Sequence, residues 1–194
     1  MSMSEYIVVL SNLSSIPCIL YYHCHQEHFY SLQVLFNSLF SFLHHMNTSG
    51  LVPFQDNGIF YFLDGLYSYL SIFVFSTYLL LENHRELRSE HSISMTVIVV
   101  LVFLNLSTII SLPVTVFLIL SITALHYQNI RTLSICSPYL HWVIALCAAD
   151  IGFYFAAMQT DYNYFHSAHH FIAFNLPIVV DMCVRNPQSS ITNP

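Results

Sequence analysis

The segment Asp161–Phe174 reads DYNYFHSAHHFIAF and opens a hydrophobic run that continues toward Cys183. Within it, His166 and His170 are four positions apart, so on a helix both imidazoles lie on one face. Burying an unpaired imidazole in an apolar helix costs free energy, whereas two imidazoles one turn apart can bind the same metal ion. The segment therefore predicts an apolar helix that carries a pair of metal ligands.

The composition of the chain is that of a membrane protein. Of its 194 residues, 56% are hydrophobic and only 7% are charged, whereas soluble domains carry about 25% charged residues. Four basic residues and a net charge of −6 leave no basic patch for phosphates, which excludes nucleic acid as a partner. The scattered cysteines argue against a disulfide framework or a cysteine-based zinc site. They are Cys18, Cys24, Cys136, Cys147 and Cys183.

Seven hydrophobic segments account for most of the chain and predict an all-α membrane protein, a seven-transmembrane helix bundle. The first lacks a basic n-region and a cleavage site, so we expect a retained helix and not a signal peptide. One domain is predicted over residues 1–183, with a short polar cytoplasmic tail over 184–194. The predicted spans are Tyr6–Tyr22, Phe29–Met46, Ile59–Leu81, Ile93–Ile110, Val114–Leu125, Tyr139–Met158 and Tyr164–Cys183.

The arginines predict the orientation of the bundle. Arg85 and Arg88 lie between the third and fourth spans, Arg131 lies between the fifth and sixth, and Arg185 lies in the tail. With seven spans and an external N-terminus, all four arginines fall on the cytoplasmic side, as the positive-inside rule requires. The N-terminus is therefore predicted outside and the C-terminus in the cytoplasm.

Polar residues of three predicted helices come to one depth in this topology. The second span ends with Ser41 and His45 one turn apart on one face. Asp64 lies about 8 Å into the third span, and the last span enters the membrane from the same side. The residues that share the outer third of the bundle are Ser41, His45, Asp64, His166 and His170.

These residue types fit a catalytic zinc site. Three histidine ligands with an open fourth position are usual for such a site, and zinc lowers the pKa of its bound water to about 7. Asp64 would hold that water and move its proton, while Ser41 would support an oxyanion or orient a ligand. Lipid acyl chains beside the site suit an amide or ester of a lipid as the substrate. The predicted Zn2+ ligands are His45, His166 and His170.

A structural interpretation stands beside this one. A histidine at a helix end is commonly an interfacial polar residue, and Asp64 can simply pair with a neighbouring histidine or tyrosine. His169 is three positions from His166 and so also within reach of the pair. Asp150, in the sixth span, either pairs with a neighbour or lines a cavity. Asp181, near the inner end of the seventh span, is expected to be solvated by the headgroup region.

The pattern Ser41-x3-His45, Asp64 and His166-x3-His170 resembles the motif of the CREST superfamily. This superfamily contains alkaline ceramidases, adiponectin-type receptors and the GPI-anchor phospholipase group that includes the myomaker branch. The resemblance covers essentially the whole chain. It implies a seven-helix core in which the three histidines hold a zinc ion.

Within the superfamily, two segments are most similar to the myomaker branch. One is Asp161–Phe174, and the other is SFLHHMNTSG at positions 41–50, where Met46-Asn47-Thr48 stand in place of the usual Ala-Cys-Asp. The length of the chain favours this branch, because the GPI phospholipases carry a large extracellular region before the helices. The tail departs from the branch, since it offers Cys183 and then polar residues where the resemblance implies a cysteine-rich end.

The resemblance leaves two functions open. The first is a multi-pass plasma-membrane protein that promotes myoblast-type cell–cell membrane fusion and retains the zinc site. The alternative is a zinc-dependent lipid hydrolase of the Golgi, the endoplasmic reticulum or the plasma membrane, either a ceramidase-like amidase or a phospholipase A2-like enzyme acting on GPI or phospholipid. Membrane lipids are partners in both cases, and a homodimer and a fusion partner protein fit the first. The sequence does not decide whether the chain is an enzyme.

Overall fold

The computed structural model describes residues 3–52, 57–80 and 140–185, together with a few isolated residues between 92 and 100. Within these residues every regular element is a helix and there is no strand. The predicted all-α class is therefore confirmed for the described part of the chain. The number of membrane spans and their orientation stay predictions.

The chain divides into two compact units, Met1–Asp64 with Ser134–Pro194, and Gly65–Leu133. Helix α4 begins in the first unit and continues into the second. In the second unit, Leu66, Leu70 and Val74 are buried and lie on one face of α4. The described elements are α1 (Met3–Ser11), a 3₁₀ turn (Asn12–Ser15), α2 (Ile16–Cys24), α3 (His28–Thr48), α4 (Asn57–Leu80), α5 (Leu140–Gln159) and α6 (Tyr162–Arg185).

Local sequence explains where the first helices begin and end. Pro17 lies in the first turn of α2, where its missing N–H would have no intrahelical partner. The chain leaves α2 through Gln26, whose φ of 62° lies in the left-handed region. Gly50 follows the end of α3 with a φ of 72°, a conformation that glycine adopts without steric cost. The turn at Gln26 brings α2 and α3 together as neighbours, and the turn at Gly50 ends α3.

Among the described residues, one helical stretch, Met3–Cys24, is long and apolar enough to cross a membrane. It comprises α1, the 3₁₀ turn and α2, and it contains the predicted first span. Helices α3 and α6, with 21 and 24 residues, are also long enough. Their histidines, asparagines and other polar residues make them less apolar. The polar residues that would form a site are thus the ones that lower the hydropathy of these two helices.

Helix α3 has its polar residues inside and its leucines outside. Ser31, Ser41 and His45 are buried on one face, while Leu32 and Leu39 on another face are 48% and 43% exposed. A helix surrounded by water is expected to show the opposite arrangement. Large apolar side chains also remain exposed on α1, α2 and α5, among them Leu10, Leu20, Trp142, Ile151 and Phe155. An apolar exterior of this kind fits contact with lipid or with another apolar surface.

Hydrogen bonds join the N-terminal helices to α6 along its length. Asn163 Nδ2 donates to Ser4 Oγ at 3.1 Å near the start of α6. Asn175 Nδ2 donates to the backbone carbonyl of Ser14 at 2.9 Å near its middle. Tyr22 Oη donates to the carbonyl of Pro177 at 3.0 Å. Each of these bonds gives a polar group a partner inside an apolar structure, where an unsatisfied group would cost free energy.

The environment of Asp181 differs from the sequence-based expectation. The residue is fully buried, with 0% of its surface exposed, and it accepts a hydrogen bond from Tyr21 Oη at 2.8 Å. Headgroup solvation of this carboxyl was therefore the wrong expectation. The physical reason is the packing of α2 on α6, which supplies a protein donor in place of water.

Some predictions fall outside the described residues. They are the whole fifth span (Val114–Leu125), most of the fourth (Ile93–Ile110), the loop arginines Arg85, Arg88 and Arg131, and the tail after Arg185. Helix α6 itself continues to Arg185, two residues beyond the predicted end of the domain. The predicted second, third, sixth and seventh spans correspond to α3, α4, α5 and α6.

The Tyr21–Asp181 hydrogen bond should contribute measurably to stability. Tyr21→Phe removes a donor to a buried carboxyl, and we expect the free energy of unfolding to fall by about 1–3 kcal/mol. Thermal unfolding of the detergent-solubilised protein measures the change. Tyr6→Phe is the matched control, because Tyr6 lies on the same N-terminal segment and is 46% exposed. Equal melting temperatures for the two variants would show that the bond is not stabilising.

Candidate metal centre

Three histidines from two helices converge in the first compact unit. Helix α3 supplies His45 from its last turn, and α6 supplies His166 and His170 from successive turns. Each offers one ring nitrogen, and these three nitrogens all lie within 4.8 Å of one another. His45 and His170 are buried, at 1% and 6% exposure, while His166 is partly exposed. This group can hold a metal ion, and it is the one convergent metal-binding group among the described residues.

The distance between His45 and His166 matches metal ligation. His45 Nε2 and His166 Nε2 are 3.2 Å apart. Two nitrogens bound to one tetrahedral zinc at 2.0–2.1 Å would be separated by about 3.3–3.4 Å. The overall spread of up to 4.8 Å is somewhat wider, so a small rotation of a ring would complete the triangle around an ion. The donor set, three imidazoles, suits zinc among the common metals.

Aromatic rings hold the histidines in place along α6. Tyr162 stacks on His166 with a centroid distance of 4.6 Å and an interplanar angle of 17°. Phe174 contacts the ring of His170 at a centroid distance of 5.6 Å. These four residues follow one another at intervals of four positions, so they form one stripe on the helix. Tyr162 and Phe174 were not predicted as site residues, although this spacing would have identified them.

Ser41 lies beside the histidines, and Asp64 lies near Ser41. Ser41 lies one turn before His45 and is 2% exposed. Its Oγ is 3.4 Å from His170 Nε2. A side-chain hydrogen bond also joins Ser41 to the Asp64 carboxyl. Ser41 therefore lies next to both Asp64 of α4 and His170 of α6. The catalytic roles of the two residues stay predictions.

His169 and Asp150, the two weaker candidates, contact each other and do not join the metal-binding group. His169 Nδ1 is 2.9 Å from Asp150 Oδ1, and the two side chains are 23% and 20% exposed. Tyr154 lies against the His169 ring at a centroid distance of 5.5 Å. The partner of Asp150 is therefore a neighbouring helix residue, which is one of the two alternatives that the sequence left open. This pair joins α5 to α6 next to the histidines.

The N-terminal segment also contacts the centre, and sequence reasoning did not predict this. Ser11 Oγ, at the end of α1, is 2.9 Å from His170 Nδ1. The two residues are 159 positions apart. No local periodicity connects them, so the only available signal was the cluster of serines that interrupts the first apolar segment. A serine in an apolar helix needs a hydrogen-bond partner.

No protein-family model matches the chain, and no curated protein matches it significantly. Its function is therefore inferred from the residues of the centre and their geometry.

Metal binding should depend on the three converging histidines and not on their neighbours. We expect about one metal ion per chain in the detergent-purified protein, and its loss in His45→Ala, His166→Ala and His170→Ala. Elemental analysis by mass spectrometry measures the stoichiometry.

The adjacent histidines provide matched controls on the same two helices. His44 contacts Tyr61 at a centroid distance of 5.5 Å, and His169 pairs with Asp150. His44→Ala and His169→Ala should therefore retain the metal. If all five variants behave alike, or if the wild-type protein holds no metal, the three histidines are polar packing residues and not ligands.

Proposed function

We propose that the chain is a seven-helix plasma-membrane protein of the CREST type, in which Zn2+ at the three-histidine centre supports hydrolysis of a lipid amide or ester. The observation that carries this proposal is the meeting of His45, His166 and His170 beside the hydrogen-bonded Ser41 and Asp64. A metal ion with a purely structural role would need neither a carboxylate nor a hydroxyl beside its ligands. A hydrolytic zinc centre needs both a proton acceptor and polar groups that orient the substrate.

The membrane setting is supported by the distribution of apolar side chains. Helix α3 exposes Leu32, Leu35 and Leu39 and buries serines and a histidine. The stretch Met3–Cys24 is apolar enough to cross a membrane. Together with the low charge content of 7%, these features favour a protein whose outer surface meets acyl chains. Orientation with the N-terminus outside would place the centre in the outer leaflet.

The residues around the centre have separable roles in the proposed reaction. A zinc ion at this position supplies Lewis acidity and makes water more acidic. The Ser41 hydroxyl donates a hydrogen bond to the Asp64 carboxylate and so holds this carboxylate near the histidines. Asp64 takes a proton from the attacking water and delivers it to the leaving amine or alcohol of the lipid. The apolar walls restrict access of bulk water and hold the acyl chain.

The substrate class follows from the position of the centre. A buried site bordered by apolar helices favours a substrate whose scissile carbonyl adjoins an acyl chain. Ceramide offers such an amide, and phospholipids and GPI anchors offer such an ester. The plasma membrane is the proposed location, with the Golgi and the endoplasmic reticulum as alternatives for a ceramidase-like enzyme.

Hydrolysis should be tested with zinc-loaded protein in nanodiscs that contain ceramide or a phospholipid. We expect release of free fatty acid, measured by mass spectrometry. In Asp64→Asn the rate should fall by about 10²–10⁴-fold while the zinc content is retained, because this change removes the proton acceptor and no metal ligand. Ser41→Ala should reduce the rate in the same direction.

Asp150→Asn is the matched control for the removal of a carboxylate near the histidines. Asp150 pairs with His169, so this variant should keep the wild-type rate. The hydrolase proposal fails if the zinc-loaded wild-type protein releases no fatty acid from any lipid class.

A second candidate function is the promotion of cell–cell membrane fusion. The observation that favours it is the similarity of Asp161–Phe174 to the myomaker branch, and this segment is also the part of α6 that carries His166 and His170. In this case the zinc site is retained for structure or for a lipid activity that accompanies fusion. A homodimer and a partner protein on the opposing membrane would be its macromolecular partners.

Expression on fusion-incompetent cells tests this second function by the count of multinucleate cells. A fusion factor is expected to produce them when both cell populations carry the wild-type protein. Asp64→Asn separates the two candidates, because it should abolish hydrolysis but leave fusion intact where zinc is only structural. An absence of multinucleate cells with surface-expressed wild-type protein would contradict the fusion role.

A further inference from the structure

Ser11 and Ser41 contact opposite nitrogens of the His170 ring. Ser11 Oγ is 2.9 Å from His170 Nδ1, while His170 Nε2 is the nitrogen near Ser41. Helix α1 ends at Ser11, and the 3₁₀ turn Asn12–Ser15 follows directly. The end of α1 therefore brings a hydroxyl to the nitrogen of His170 that is remote from Ser41.

The direction of this hydrogen bond is determined by a second contact of the same hydroxyl. Ser11 Oγ donates its single proton to the backbone carbonyl of Val8 at 2.7 Å. With that proton already donated, Ser11 Oγ can only accept at its contact with His170. The Nδ1 atom of His170 must then carry the proton, since a neutral imidazole has one N–H and one bare nitrogen.

The same reasoning leaves His170 Nε2 without a proton. Its contact with Ser41 Oγ is long, at 3.4 Å. A bare Nε2 can only accept at this contact. The Nε2 lone pair is thus the one that His170 can offer to a metal ion shared with His45 and His166.

The 3₁₀ turn that follows Ser11 is attached to α6. Ser14 Oγ donates to the backbone carbonyl of His170 at 3.4 Å, and the Ser14 carbonyl accepts from Asn175 Nδ2 at 2.9 Å. The shorter of these bonds uses the Ser14 backbone, so Ser14→Ala would keep it. Neither bond involves the His170 ring, which Ser11 contacts directly.

We infer that Ser11 is a positioning residue of the metal centre: it accepts the Nδ1–H of His170 and so presents Nε2 to the metal in the correct tautomer. The inference rests on the metal centre proposed above. An outer hydrogen bond of this kind commonly orients a histidine ligand, and its removal typically weakens metal binding by about 10–100-fold. The N-terminal segment then forms part of the centre even though it supplies no ligand.

The experiment compares Zn2+ affinity of the detergent-purified full chain by competition with a chromophoric chelator. Ser11→Ala should bind Zn2+ about 10–100-fold more weakly than wild type, and Ser11→Thr, which keeps the hydroxyl, should restore most of the affinity. Ser14→Ala, in the turn that follows Ser11, is the matched control, and its Zn2+ affinity should stay near that of the wild type. Co2+ added in place of Zn2+ gives a visible absorption band that should change in Ser11→Ala and remain unchanged in Ser14→Ala.

A purely structural role of Ser11 would give a different result. The melting temperature of the metal-free protein would then fall in Ser11→Ala, with unchanged Zn2+ affinity of the folded fraction. Should Ser11→Ala fail to fold, Ser11→Thr and Ser11→Val replace it, because these two side chains have the same shape and differ only in the hydroxyl. Equal Zn2+ affinity of that pair would overturn the inference.

The two proposals fail in distinguishable ways. Wild-type protein that binds Zn2+ together with an unaffected Ser11→Ala variant would remove the role of Ser11 and leave the metal centre standing. Wild-type protein that binds neither Zn2+ nor Co2+ would remove both.

Discussion

The cost of placing imidazoles in an apolar interior is the constraint on which the rest of the first unit depends. A buried polar ring without a partner is unfavourable by several kcal/mol in a medium that cannot form hydrogen bonds. His45 and His170 are almost completely buried, and their nitrogens face one another, Ser11 and Ser41. Three separate chain segments, α1, α3 and α6, must therefore pack together before these rings have partners. The position of each segment follows from that requirement.

Serines are the means by which the helices come close enough. Ser15 and Ser38 bond to each other at 2.8 Å between the 3₁₀ turn and α3, and Ser31 donates to the Ile19 carbonyl at 2.9 Å. Small hydroxyl side chains let the backbones of neighbouring helices approach and supply hydrogen bonds at the same time, which is the usual mode of helix packing in membranes. The core of this unit accordingly combines polar with apolar side chains, while large apolar side chains also cover its outside.

Local periodicity was sufficient to predict the parts of the centre that lie on one helix. The four-residue spacing of His166 and His170, and that of Ser41 and His45, follows from the geometry of a single turn. The meeting of α3 with α6 was predicted only because the topology of a seven-span bundle brings their ends to one depth. The contact of Asp64 with Ser41 followed from the same argument.

The contacts that sequence reasoning missed join residues far apart in the chain. Ser11 and His170 are 159 positions apart, and Tyr21 and Asp181 are 160 positions apart. Which face of α1 or α2 meets α6 is decided by the packing of the whole unit, and no pattern within either helix contains that information. Asp150 shows the intermediate case, because a partly buried carboxylate in an apolar helix requires a partner, but the sequence does not say that the partner is His169.

The hydrogen bonds between the first 22 residues and the last described helix also determine when the centre can form. During synthesis, α1, α2 and α3 are made long before α6, so Ser11 and His45 exist before His170 does. Contacts between such distant segments form late in folding. A chain that stops before α6 therefore contains Ser11 and one metal ligand, His45, but lacks the other two ligands and cannot retain a metal ion. Metal retention is thus a test of whether the first and last helices have packed together.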